Sequence, residues 1–134
     1  MTQSNVQWDD YWRLAAAQNR DADPTGTDIT APFFIEAGPK PDKTNYVMDL
    51  GCGSGVLSHI LRSSNYVNSR FIGVDLSLDA AHMTVKKTQG LAVQADLSKL
   101  PVANHSVDWV VSQFALEYAP SQAWQEAARV VRPG

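Results

Sequence analysis

The chain is predicted to fold as a doubly wound α/β domain with a parallel sheet. Three observations carry that expectation. The stretch Y-V-M-D-L-G-C-G-S-G-V-L, Tyr46 to Leu57, passes from an apolar run through Gly51, Gly53 and Gly55 into an amphipathic segment. Strand, glycine turn, helix is how such a sheet presents a nucleotide-like ligand. Strand-like and helix-like segments then alternate to the last residue, with no repeat or low-complexity tract between them. Finally, Val107 to Phe114 is nearly all apolar, as a strand buried on both faces should be.

Composition sets the class. A chain of 134 residues suits a single domain and is small for a complete doubly wound sheet. Its 44% apolar and 19% charged residues are those of an ordinary globular protein. A formal charge of −3 leaves no electrostatic footprint for nucleic acid and no attraction to an anionic membrane, so neither is expected as a partner. The only cysteine, Cys52, cannot form an internal disulfide, which suits a reducing compartment. No signal peptide or lipidation motif is visible, and no apolar run approaches about 18 residues. A cytoplasmic location is the expectation.

Taken in order, residues 4–18 read as a helix. Ser4 and Gln7 fit a capping box, and Trp8, Tyr11, Trp12 and Ala15 recur on one face. That stripe reads as packing before it reads as a substrate platform. Asn19 to Thr27 is a polar loop. A second helix is expected over Ala31–Ala37, with Thr30 as N-cap and Pro32 in the first turn, ended by Gly38 and Pro39. Residues 1–45 form a helical lead-in and 46–134 the ligand-binding core of the one domain. The first strand is Tyr46–Leu50, followed by a helix from Gly55 to about Ser63 that buries Val56, Leu57, Ile60 and Leu61. The second strand, Arg70–Val74, leads through Asp75 to a helix capped by Ser77 and ended at Gly90. Leu91–Gln94 is a short third strand and Val107–Phe114 the fourth. A last helix, capped by Ser121, turns Ala123, Trp124, Ala127, Ala128 and Val131 inward. All crossovers should be right-handed.

The glycine spacing narrows the chemistry. A dinucleotide fingerprint, G-x-G-x-x-G, needs its third glycine where Val56 stands, and the acid before the turn, Asp49, is foreign to it. Asp75 lies at the end of the second strand, 20 residues past Gly55. An acid there can take two hydrogen bonds from a ribose diol, with Leu76 packing on the adenine; the competing reading is a helix-capping Asp. His59, His82 and His105 are scattered, with no i, i+4 pair, so no metal site is expected. Cys52 has no basic neighbour in sequence and reads as a small filler of the turn rather than a nucleophile.

D-L-G-C-G-S-G, Asp49 to Gly55, resembles motif I of class I S-adenosylmethionine-dependent methyltransferases. Q-A-D-L-S-K-L-P-V-A-N-H-S-V-D, Gln94 to Asp108, resembles the type-11 small-molecule methyltransferases, and the closing A-A-R-V-V-R-P-G resembles their lead into a fifth strand. The likeness covers about Tyr46 to Gly134. It implies a sheet of strand order 3-2-1-4 lacking the family's last strands, with S-adenosylmethionine as cofactor and S-adenosylhomocysteine as product. Asp49, Gly51, Cys52, Gly53 and Gly55 would form the cradle, with Asp75 and Leu76 beside it. Asp96 would hold the adenine amino group, with Leu97 supplying a neighbouring N–H. Ser112, Gln113 and Phe114 would border the methionine part, and Asp108 is implied to be structural.

Methyl transfer from a sulfonium is driven by alignment and exclusion of water, so no nucleophile or triad need appear. Glu117 and Tyr118 are the nearest titratable candidates for a base. The expected partner is a small-molecule methyl acceptor. With its last strands lacking, the sheet would expose strand 107–114 as an apolar edge, a template for a homodimer or partner chain, or the mark of a truncated piece. The alternative function is a non-catalytic S-adenosylmethionine-binding domain acting with a partner subunit; a nicotinamide-dependent oxidoreductase comes third.

Overall fold

The computed structural model describes residues 5–17 and 27–134. The Ser4 cap and the loop over 19–26 lie outside them. Four parallel strands form one sheet: β1 Tyr46–Leu50, β2 Arg70–Asp75, β3 Leu91–Gln94 and β4 Trp109–Val111, in the order β3-β2-β1-β4. Among the described residues five α-helices accompany it: α1 Asn5–Ala17, α2 Thr27–Ala37, α3 Val56–Ser63, α4 Leu78–Thr88 and α5 Ser121–Val130. This is the doubly wound order 3-2-1-4.

Alternation along β1 explains the two cores. Val47 points to one face and joins Ala31, Leu57, Leu61, Tyr66, Phe71 and Val111 under α2 and α3. Met48 and Leu50 point to the other, with Val74, Leu100, Val107, Leu116, Ala123 and Val130 against α5. A strand buried on both faces has to be apolar throughout, and β1 is, except for Asp49.

Four expectations need correction. Helix α2 begins at Thr27, not Ala31, so Thr30 lies inside it and Pro32 falls in its second turn; the Gln113 amide donates to the Thr30 hydroxyl of the added turn at 2.8 Å. The fourth strand does not reach Phe114, and pairs with β1 only over Trp109–Val111. Phe114 takes a left-handed φ of 59°, which ends the ladder, and the Ser112 hydroxyl donates to the Leu50 carbonyl while accepting the Leu116 N–H. Ser121 is the first residue of α5 rather than its cap; Pro120 holds the cap position without a side-chain bond. Trp124 is 55% exposed, so the inward face of α5 is Ala123, Ala127 and Val130.

The edge beside β4 is already part-covered. Val107 bridges Val131 in parallel, with the Arg132 N–H donating to the Val107 carbonyl at 2.8 Å. Asp108 staples this corner by accepting the N–H groups of Asn45 and Tyr46 and the Arg132 guanidinium. Arg129 pairs with Glu126 and holds the carbonyls of Leu100 and Val102.

Candidate functional site

The site is built on the turn between β1 and α3. Gly51, Gly53 and Gly55 have φ of 72°, 55° and 85°, where an L side chain is strained by roughly 1–2 kcal/mol. Space forbids side chains too. A Cβ on Gly51 would stand 2.2 Å from the Ala115 Cβ, one on Gly53 2.6 Å from Trp12, and one on Gly55 2.9 Å from the Thr84 Cα. The N–H groups of Gly51 and Cys52 both donate to the Val74 carbonyl, tying the turn to the end of β2. Thr84 on α4 reaches the Gly53 carbonyl at 2.9 Å and the Cys52 Sγ at 3.2 Å. Burial pushes the Cys52 thiol well up, which leaves it an inert packing group here.

Two carboxylates lie beneath and beside this turn. Asp49, 3% exposed, accepts the Ser58 hydroxyl at 2.7 Å. Burial pushes its pKa up to about 6. Asp75, 9% exposed, accepts the Gly53 N–H at 3.0 Å and the Ser77 N–H at 2.9 Å. Burial raises its pKa as well. Each of its oxygens keeps a second lone pair, enough for a diol at the mouth of the turn. Beyond it the first N–H groups of α3 have no partner within the helix.

The other expected residues ring this centre. Leu76 is half-buried, its carbonyl held by Gln94. Asp96 is exposed after β3, accepting only the Ser98 N–H through its side chain, while Leu97 tucks against the core. Ser112 and Gln113 follow β4, and Ala115 beside them touches Gly51. Gln113 donates to Thr30 of α2 at 2.8 Å. With Phe33, Phe34, Phe114 and Glu117 they line an open hollow of about 420 Å³. Tyr118 stands apart, 82% exposed. Among the described residues no group of three or more His, Cys, Asp or Glu could hold a metal ion.

Sequence reasoning missed three contributors. Thr84 supports the turn from α4, and no motif marks it. Asp9 and Trp12 bring α1 onto the site: Asp9 accepts the Ser77 hydroxyl at 2.6 Å, and Trp12 lies on Gly53. The aromatic stripe pointed at α1, as a packing face before a substrate platform.

A parallel sheet of this order, with a glycine turn after β1 and an acid closing β2, defines the fold of a class I S-adenosylmethionine-dependent methyltransferase. Known proteins agree. A 38% identical stretch of 93 residues, 66% of this chain and 33% of the other, matches a malonyl-[acyl-carrier protein] O-methyltransferase of Hahella chejuensis. The methyltransferase in a complex with the Haloferax volcanii Trm112 methyltransferase activator superposes with a TM-score of 0.80 at 26% identity, over 100% of this chain and 58% of that one. Geranyl diphosphate C-methyltransferase of Streptomyces coelicolor, solved with S-adenosyl-L-homocysteine, gives 0.69 at 19% identity over 80% of this chain and 42% of that one. The model of the methyltransferase domain family of type 11 matches residues 48–134, and the chain belongs to that family. It spans about a third of the length of the Hahella relative.

S-adenosylmethionine is the cofactor of this family, and the donor set here fits it. A buried carboxylate with spare lone pairs faces the mouth of the turn, and amides at a helix N-terminus lie next to it. Among the described residues no helix is long and apolar enough to cross a membrane.

Proposed function

We propose that the chain binds S-adenosylmethionine and methylates a small-molecule acceptor. The observation that carries this is Asp75, buried at the end of β2 and bonded to the Gly53 N–H of the turn, together with the hollow lined by Phe33, Phe34, Ser112, Gln113 and Phe114. Asp75 would hold the ribose diol and Asp96 the adenine amino group, with Leu76 and Leu97 beside the ring. The turn, with Ser112, Gln113 and Phe114, would border the methionine part. When bound, the cofactor supplies an electrophilic methyl group on a positively charged sulfur.

The chain's own contribution is orientation. The turn is fixed by backbone bonds and close packing, so it meets a ligand without reorganising. Phe33, Phe34 and Phe114 favour an apolar acceptor body. Glu117, which lines the same hollow, would accept an acceptor proton. The relatives' names include an O- and a C-methyltransferase, which supports an acceptor chosen by the hollow and not by the cradle. Calorimetry with S-adenosylmethionine, S-adenosylhomocysteine and a nicotinamide nucleotide tests the reading, followed by a methyl-transfer assay against small acceptors. Tight binding of the nicotinamide nucleotide, or none of the other two, overturns it.

A second reading, a non-catalytic domain working with a partner subunit, is favoured by the open edge of β4. Backbone groups of successive strand residues point to opposite sides. The Asp108 N–H donates to the Tyr46 carbonyl, so those of Trp109 and Val111 face away from β1. Exposed Phe33, Phe114 and Trp124 stand around that edge. The pairing of the Haloferax methyltransferase with an activator supports such an arrangement.

A further inference from the structure

One polar chain runs from the glycine turn out to α1. The Gly53 N–H donates to Asp75, whose other oxygen takes the Ser77 N–H. The Ser77 hydroxyl donates to Asp9 at 2.6 Å while accepting the Ala80 N–H that starts α4. Asp9 also takes the Asp79 N–H at 3.3 Å, and Arg13 pairs with Asp79 at 3.1 Å. Asp9 is therefore part of the cap of α4, supplied by another helix. Trp12 follows Asp9 by three residues, on the same side of α1. Its six-membered ring edge lies where a side chain on Gly53 would stand, with Cζ2 and Cη2 2.6 and 2.7 Å from that Cβ position. Tyr11 supports the indole edge-on at 4.8 Å between centroids.

We propose that α1 forms a wall of the cofactor site: Trp12 contacts the bound ligand and favours a cationic sulfur, and Asp9, acting through Ser77, is the positioning residue that sets it there. This rests on the S-adenosylmethionine reading. An indole is the strongest aromatic partner for a cation, and the attraction grows when water is excluded. Trp12 is half-buried and meets the turn beside Asp75. A ligand bound to Asp75 therefore shares one hydrogen-bonded chain with the helix that carries the indole.

The test compares dissociation constants for S-adenosylmethionine and the neutral-sulfur S-adenosylhomocysteine by calorimetry on the whole chain. Trp12→Leu is expected to weaken S-adenosylmethionine about tenfold and S-adenosylhomocysteine much less. Trp12→Phe should fall between. Asp9→Ala should weaken both ligands and Asp9→Asn should restore them, because the amide oxygen still accepts from Ser77. Tryptophan emission that changes on ligand addition in wild type, and no longer does so in Trp12→Phe, is a second readout that needs no turnover. Equal losses for both ligands in Trp12→Leu and Trp12→Phe, or unchanged constants in all four variants, overturn the proposal. Wild-type protein that binds neither ligand overturns the proposed function instead, so the two failures are distinct.

Discussion

The Asp49 carboxylate accepts a 2.7 Å hydrogen bond from the Ser58 hydroxyl, and neither residue is more than 3% exposed. This pair joins the end of β1 to the first turn of α3, across the glycine turn. It leaves a carboxyl whose charged form is disfavoured by burial.

A pH signature follows. The folded pKa of Asp49, about 6, exceeds the ordinary aspartate value of 3.8. Between these values the native state holds more protons than the unfolded chain, so this group's contribution is full below about 3.8 and is lost as pH rises through 6. Asp49→Asn keeps the acceptor but cannot ionise. Its stability relative to wild type should rise between pH 4 and pH 7 by up to about 3 kcal/mol. Urea denaturation of both proteins at the two pH values measures this; a constant difference would contradict it.

Asp75 and Asp96 should separate binding from stability. Asp75→Ala leaves the Gly53 and Ser77 N–H groups without their partner, at a cost of about 1–3 kcal/mol each where they stay dry. It should lower the melting temperature and abolish detectable S-adenosylmethionine binding. Asp96 is exposed and loses only the Ser98 contact. Asp96→Ala should weaken the ligand with the melting temperature nearly unchanged. Calorimetry beside thermal unfolding reads both.

The glycines differ in how they fail. Gly51→Ala meets the Ala115 Cβ at 2.2 Å, a side-chain contact in a loop. Gly55→Ala meets the backbone of Thr84 inside α4, which cannot yield without moving the helix. Both also carry the left-handed strain of roughly 1–2 kcal/mol. Gly55→Ala is expected to be the more destabilising, and chemical denaturation of the two variants ranks them.

The open edge of β4 predicts self-association. Sedimentation at rising concentration should show species heavier than the monomer, and Trp124→Glu, at a 55% exposed position, should shift the balance back. A monomer at every concentration in the wild type would rule this out.

Much of the fold was legible in sequence because its signals are local. The apolar run Tyr46–Leu50, the glycines and the Ser77 cap each state their own conformation, and the strand order came with the family likeness. Boundaries set by neighbours were not legible. β4 stops at Val111 because the Ser112 hydroxyl and the turned backbone at Phe114 take over from the ladder. The early start of α2 goes with the bond from Gln113 to Thr30, 83 residues apart in the chain.

The site divides the same way. Residue type and spacing by themselves marked the turn and singled out Asp75, since backbone freedom and charge are properties of single residues; Asp96 came with the family likeness. Only the tertiary structure decided that Asp49 is spent on Ser58, that Thr84 braces the turn, and that Asp9 and Trp12 bring the first helix onto it. Those contacts join residues far apart in the chain, and their energy exists only once the sheet has brought them together.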